Sequence, residues 1–341
     1  MKLSKKIYYA ASALLPLPLL KQIASPGTIF PYHHLISDKE VLHVKHLYSY
    51  KNIRQFGNDL DYLLKQFNPI SVEELVNCIN TGSPLPKNSF LLTFDDGFRE
   101  VYDFVAPVLS AKGVPAIFFI NPAFLDNREL FYRCKISLII EEILKKGSDK
   151  NVLGECGKIM GDKFKSHEAL ISSVKCITNL GKGVLEELAP VFNLSFSEYL
   201  EKERPFLTSQ QVFELSNNGF SIGAHSWDHP YYKLIPEKER IIQTVSSVEF
   251  VGKNFSQRLN LFSFPHSDSE LDQSFFDQLK STGVTDLLFG TQNQKNEFSN
   301  RVMHRFNAEN PMIPLNKQVK GLLVLMSIRK FLRKDIVSRR N

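Results

Sequence analysis

The chain reads as an α/β protein whose strands run parallel and close into a barrel with a helical insertion. Three features of the pattern predict this. Apolar runs of four to seven residues alternate with segments of helical period, the links between them are short, and the alternation is interrupted once, between Phe124 and Pro205. Strand, helix, strand order with short links marks a parallel β/α unit. Repetition of such units to the end of the chain favours closure over an open sheet.

The units follow in order. Thr28 to Tyr32 is a short apolar stretch leading to His33, His34 and a polar loop. Phe56, Leu60, Leu63, Leu64 and Phe67 recur at helical spacing, and Pro69 closes that helix. Ser71 is placed as the N-cap of a helix over 72–80. Phe90 to Phe94 is a buried strand that ends in Asp95-Asp96-Gly97; a helix over 98–112 stops at Gly113, and Val114 to Ile120 is the next strand. Later units place helices at 209–217, 237–255 and 275–281, and strands at 220–224, 261–264, 284–289 and 302–306. Between them, about 126–203 turns to helical segments. This block reads as an insertion beside the barrel mouth, where β/α barrels carry their long loops.

With 341 residues, 43% of them hydrophobic and 23% charged, the chain can bury one sizeable domain and is not compositionally disordered. The net charge of +6 is unevenly spread. From Lys317 onward eight basic residues stand against the single acid Asp335, so the rest of the chain is close to neutral. That argues against a nucleic-acid partner and for a basic, apolar tail (316–341) suited to an anionic membrane surface. At the other end (1–28), Lys2, Lys5 and Lys6 precede the apolar run Ile7 to Leu20, broken by Pro16 and Pro18. It is shorter than the roughly 20 residues a spanning helix needs, so it reads as an interfacial or packed segment, an uncleaved anchor being the alternative. Cys78, Cys134, Cys156 and Cys176 form no paired spacing and read mostly as buried apolar residues. The expected location is cytoplasmic, peripheral on the inner face of the membrane.

The chemistry concentrates in two places. Hydrolysing an amide requires a strengthened nucleophile, a polarised carbonyl and a proton for the leaving amine; a divalent metal on nitrogen and oxygen ligands with open positions supplies the first two. Thr93-Phe94-Asp95-Asp96-Gly97 sets two carboxylates side by side at a strand end, where the glycine lets the backbone turn away. One carboxylate can bind metal while the other serves as base. His225 follows the apolar run Phe220 to Ile222 at another strand end, and a turn before Pro230 can bring His229 beside it.

These residues resemble the polysaccharide deacetylase family, also called the NodB homology domain. Thr93 to Gly97 is similar to its first motif, His225 to His229 to its His-Ser/Thr-x-x-His second motif, and Phe98, Tyr102, Tyr32 and His33 to flanking positions. The likeness covers most of 29–310 outside the insertion, placing the barrel at 29–315. It implies a distorted (β/α) barrel of the glycoside hydrolase/deacetylase type and a metal-dependent hydrolase, usually a zinc enzyme. Such an enzyme removes N-acetyl groups from an N-acetylated sugar in a polysaccharide or glycan intermediate. It further implies Asp95 as general base and Asp96, His225 and His229 as metal ligands.

The third motif, commonly Arg-Pro-Pro-Tyr-Gly, corresponds to Ser263-Phe264-Pro265-His266-Ser267. The arginine that orients the aspartate is absent, although a relaxed form without it occurs among relatives. The backbone N–H of His266 takes the oxyanion-stabilising position. The family's late-strand histidine, the general acid, falls on His304, with His266 as the alternative; strand alternation turns only one of His304 and Arg305 inward. His33 and His34 read as structural. The missing arginine also leaves room for a catalytically impaired carbohydrate-binding or scaffold protein.

Overall fold

The computed structural model describes residues 15–297 and 299–340. The part of the N-terminal apolar run up to residue 14 lies outside them. The apolar stretch Thr28 to Tyr32 and the strand expected over 90–94 are each divided: the first forms β1 (Thr28–Ile29) and β2 (Pro31–His33), the second β4 (Ser89–Phe90) and β5 (Leu92–Phe94). The lower halves join β3 (Asn68–Pro69) in a small parallel sheet of order β1-β4-β3. The upper halves belong to the main sheet with β6 (Ala116–Ile120), β7 (Ser221–Ala224), β8 (Leu261–Ser263), β9 (Leu287–Gly290), β10 (Val302–His304) and β11 (Phe306–Asn307).

Among the described residues the main sheet has eight strands, all parallel, in the order β10-β9-β8-β7-β6-β5-β2-β11. Its two edge strands are halves of one run. His304 pairs with Gly290 in β9, and two residues later Phe306 pairs with Pro31 in β2. Arg305 is the hinge between them, so the sheet nearly closes on itself and forms a (β/α) barrel.

Burial explains the apolar runs. All five residues of β6 are buried, as a strand covered on both faces requires. Ile117 and Phe119 pack with Leu91, Leu261, Phe289 and Met303 inside the barrel. Phe118 and Ile120 face the outer layer, among Phe56, Leu60, Val105 and Leu215 from the surrounding helices. Three of those helices start with reciprocal side-chain and backbone caps, at Asn52/Gln55, Ser71/Glu74 and Thr208/Gln211. The helix expected over 98–112 instead begins as a wide turn at Val101–Val105 before continuing over Ala106–Ala111.

Between β6 and β7, helices Tyr132–Lys146, Lys150–Met160, His167–Lys175, Gly183–Leu188 and Phe196–Glu203 gather around a second core that includes Ile139, Leu170, Val174 and Leu188. Cys134 and Cys156 are buried there, while Cys78 is half-buried and Cys176 exposed; all four are free. The C-terminal segment is not a detached tail. Helix Leu315–Phe331 buries Val319, Leu322 and Leu323 in the outer core, with Leu20 and Ala24 of helix Leu17–Ala24 in the same cluster. Its apolar side is used in packing, which is why the segment is part of the barrel's outer layer. Beyond it Val337 is buried and Ile336 bridges to Asn296. No helix of the described residues is long and apolar enough to cross a membrane.

Gly223 marks the tightest packing between strands: a Cβ there would lie 2.4 Å from the Phe119 ring and 3.1 Å from Leu261 Cβ. Gly154, in helix Lys150–Met160, has nothing within 4 Å. Gly223→Ala should therefore cost about 1–3 kcal/mol of stability by overpacking. Gly154→Ala should gain up to about 1 kcal/mol from helix propensity. Urea unfolding of the two variants checks both signs.

Candidate active site

The C-terminal ends of β2, β5, β7 and β8 open into a pocket of about 260 Å³ whose lining includes Asp95, Asp96, His225, His229, His34 and His266. The turn after β5 divides the two aspartates. Asp96 and Gly97 both adopt positive φ, 72° and 64°, which swings Asp96 away from the strand line kept by Asp95. A Cβ on Gly97 would also meet Ile120 at 3.2 Å, so glycine is required there on two counts.

Asp96, His225 and His229 converge. The Asp96 Oδ1 lies 3.4 Å from His225 Nε2 and 3.3 Å from His229 Nε2, and all three residues are buried. His225 is oriented by its other ring nitrogen, 2.8 Å from the Ser263 carbonyl, which leaves Nε2 facing the aspartate. The turn from Ser226 to His229, both at positive φ, brings His229 round; its N–H donates to Ser226 Oγ at 3.1 Å. Asn121, just past β6, holds this turn by donating to the carbonyls of His225 and Ser226. Asp96 Oδ1 has no hydrogen-bond partner although it is buried. Its carboxyl is pushed up by burial but held well below the usual range by His229 and His225. The donor atoms lie within 4.8 Å of one another, a set that fits a divalent cation with coordination positions to spare.

Asp95 has a different partner. Arg305 Nη1 and Nη2 donate to its two oxygens at 2.7 and 2.8 Å, a bidentate pair buried at the barrel seam. Every guanidinium donor is used: Nη1 also reaches Thr93 Oγ1 at 3.0 Å, Nη2 reaches Ser263 Oγ at 2.6 Å, and Nε reaches the Gly290 carbonyl at 3.4 Å. Rings of Tyr32 and Phe119 flank it, 4.8 and 5.5 Å from its central carbon. Burial raises the Asp95 carboxyl, and Arg305 and His225 outweigh it, so the net shift is downward. Ser263, where the third motif commonly has arginine, hydrogen-bonds both members of the pair. The guanidinium missing from β8 is supplied from the seam.

His304, the expected general acid, does not line this pocket. Alternation turns Met303 and Arg305 inward and His304 outward, where Nε2 meets Glu297 at 2.8 Å within a buried cluster that includes Asp268 and Arg339. His266 does line the pocket. Its ring packs on His229 at 4.6 Å and Tyr231 at 5.0 Å, its φ is 58°, and its backbone N–H donates to no protein group among the described residues. His33 is buried between Phe56 and Phe94, as a structural histidine. His34 is not merely structural in position, because it faces the pocket. Sequence reading named Arg305 only as the alternative to His304 on its strand, and missed Asn121. Met303 and Arg305, two apart on a strand, carried the signal for the first; nothing local marked the second.

Replacing Arg305 with methionine removes the counter-charge and leaves a buried carboxylate, which should cost about 3–5 kcal/mol at neutral pH. In the wild type the depressed Asp95 contributes stability above its unfolded value of about 3.9 and loses it as pH falls through the lower folded value. The gap between wild type and Arg305→Met in urea unfolding should accordingly narrow under acid conditions below about pH 4.

A profile of the polysaccharide deacetylase family matches residues 82–152 and 186–287. The poly-β-1,6-N-acetyl-D-glucosamine N-deacetylase of Escherichia coli K12 is 37% identical over 51 residues, which is 15% of this chain and 8% of that protein. Among solved structures, the Streptococcus pyogenes deacetylase PplD superposes with a TM-score of 0.55 at 12% identity, over 87% of this chain and 98% of the other. IcaB from Ammonifex degensii gives 0.52 at 15% identity, over 86% and 97%. At these identities the two structures establish the fold alone. With the profile spanning half of its length and carrying both aspartates and both histidines, the chain belongs to the polysaccharide deacetylase family.

Proposed function

We propose that the protein is a metal-dependent carbohydrate N-deacetylase acting on an N-acetylated sugar of a polysaccharide or glycan intermediate. The observation that carries this reading is the division of labour between neighbours. Asp95 is neutralised and aimed by Arg305, while Asp96 is left to His225 and His229. Family membership, and the named activity of the Escherichia coli relative on a β-1,6-linked N-acetylglucosamine polymer, support the substrate class. The ground for an impaired scaffold was the arginine absent at Ser263, and Arg305 now meets Asp95 in its place.

Held by Asp96, His225 and His229, a divalent ion, zinc by this reading, would polarise the acetamide carbonyl and acidify a water. The remaining work belongs to the chain. Asp95 takes the proton of the attacking water, and the two-point contact with Arg305 keeps its carboxylate charged and fixed. The free N–H of His266 is available to the developing oxyanion, a donor typically worth about 3 kcal/mol in the transition state. Phe98, Phe131 and Phe264 wall the pocket and limit water around the reacting atoms.

The exposed Phe331, Leu332, Arg333 and Lys334 at the end of the C-terminal helix support peripheral contact with an anionic membrane, on its cytoplasmic face. Binding to vesicles containing phosphatidylserine should weaken on Phe331→Ser/Lys334→Glu substitution.

Acetate release from N-acetylated sugars and short β-1,6-linked N-acetylglucosamine oligomers tests the activity. Zinc-loaded wild type should release acetate. Asp95→Asn should lose about 10²–10⁴-fold while retaining metal, and a chelator should abolish turnover until zinc is restored. Failure of folded, zinc-loaded wild type across a panel that includes lipid-linked glycans would favour the binding-protein reading.

A further inference from the structure

With His304 facing outward, the pocket needs another proton donor for the departing amine. The wall between the first and last barrel strands carries one. β2 runs beside β5 with His33 opposite Phe94, and the Asp95 N–H donates to the His33 carbonyl at 2.9 Å. One residue further on, His34 therefore stands next to Asp95 across the ladder. The alternation that sends His33 into the outer core turns His34 to the same side as Tyr32, Thr93 and Asp95.

A carboxylate lies behind it. Glu309, just past β11, accepts from His34 Nδ1 at 2.8 Å through Oε2, and through Oε1 from the backbone N–H groups of His34 and Leu35 at 3.0 and 3.2 Å. Glu309 is buried, with a side chain 2% exposed against 21% for His34. Three bonds fix this carboxylate from one side, and the pairing at Nδ1 leaves Nε2 as the ring atom available to the pocket. Among the described residues Nε2 has no hydrogen-bond partner. The groups around the ring from neighbouring segments are Tyr32, Tyr48, Asp95, Asp96 and Glu309; of the nearby cations, Arg305 is paired with Asp95 and Arg133 lines the same pocket.

We propose that His34, backed by Glu309, is the general acid that delivers a proton to the leaving nitrogen. The assignment rests on the deacetylase reading above. After water has added to the acetamide carbon and given a proton to Asp95, the C–N bond breaks and its electron pair stays on nitrogen. That nitrogen takes the proton from His34 Nε2, and the carbonyl re-forms to give acetic acid. One proton has entered at Asp95 and one has left His34, so a single proton passed between them, directly or through solvent, restores both. The electrostatics agree with the geometry. Burial disfavours the imidazolium, but Glu309, followed by Asp96 and Asp95, brings His34 up to about 9, so it carries its proton at neutral pH. His266 has no such partner: its ring lies against His229, and its Nε2 is 3.4 Å from the Tyr132 hydroxyl.

A proton donor matters when the leaving group is a poor one, and this gives the test. His34→Gln, zinc-loaded and compared with wild type, should lose about 10²–10⁴-fold on an N-acetylated sugar. On an aryl acetate, whose phenolate departs without a proton, it should lose less than about 10-fold. Glu309→Gln keeps the contacts to the backbone but removes the charge. Its acetamide activity should fall away at lower pH than in wild type, because the carboxylate that raises His34 is gone. Equal losses of His34→Gln on both substrates, or an alkaline limb that does not move in Glu309→Gln, would overturn the assignment. So would acetamide turnover by His34→Gln at the wild-type rate. In each of these cases wild type still cleaves the acetamide and the deacetylase reading stands. Wild type inactive on the acetamide would overturn the deacetylase reading, and the role of His34 with it.

Discussion

The ion pair between Asp95 and Arg305 is the constraint on which most of this architecture turns. Taking two charges out of water costs several kcal/mol for each, and the cost is met only if geometry and hydrogen bonding are complete. Here they are: two bonds join the charges, Thr93, Ser263 and Gly290 take the remaining guanidinium donors, and two aromatic rings cover its faces. Thr93 and Asp95 come from β5 and its end, Ser263 from β8, and Arg305 from the hinge between β10 and β11. The pair can form only when the barrel closes. Completing the fold and setting the Asp95 carboxylate are therefore one event.

The same pair separates two carboxylates that are adjacent in sequence. Asp95 is neutralised within the barrel and has no charge to spare for a cation, whereas Asp96, rotated by the left-handed backbone of the turn, faces the imidazoles of His225 and His229. Burial lowers His229, which favours the neutral ring with one nitrogen free as a ligand. Selectivity between the two aspartates is thus built from backbone geometry rather than from any difference in side-chain chemistry.

Much of the fold was legible because its determinants are local. Runs such as Ala116–Ile120 announce doubly covered strands, and Ser71 with Glu74 announces a helix start. The grouping of Asp96, His225 and His229 was legible because each motif is contiguous and stands at a strand end. What could not be read depends on contacts between distant segments. Arg305 and His304 are neighbours with opposite fates, and only the register of β10 against β9 decides which one turns inward. His34 looked structural because its partner, Glu309, lies 275 positions away. The tail looked free because its apolar residues pack on a barrel that periodicity alone does not display.

The outward-facing cluster that captured His304 also ties the loop after β8 to the end of β9. Arg339 donates to Asp268 at 2.9 Å and to Glu297 at 2.7 Å, and lies 3.7 Å over the Phe276 ring; Asp268 in turn accepts from the Thr291 N–H at 2.8 Å. Asp268 is two residues beyond His266, and Thr291 lines the pocket. The Arg339 side chain is thereby the clasp of the loop that carries His266. The loop that carries His266 is thus held from outside the barrel wall, by a side chain that does not line the pocket.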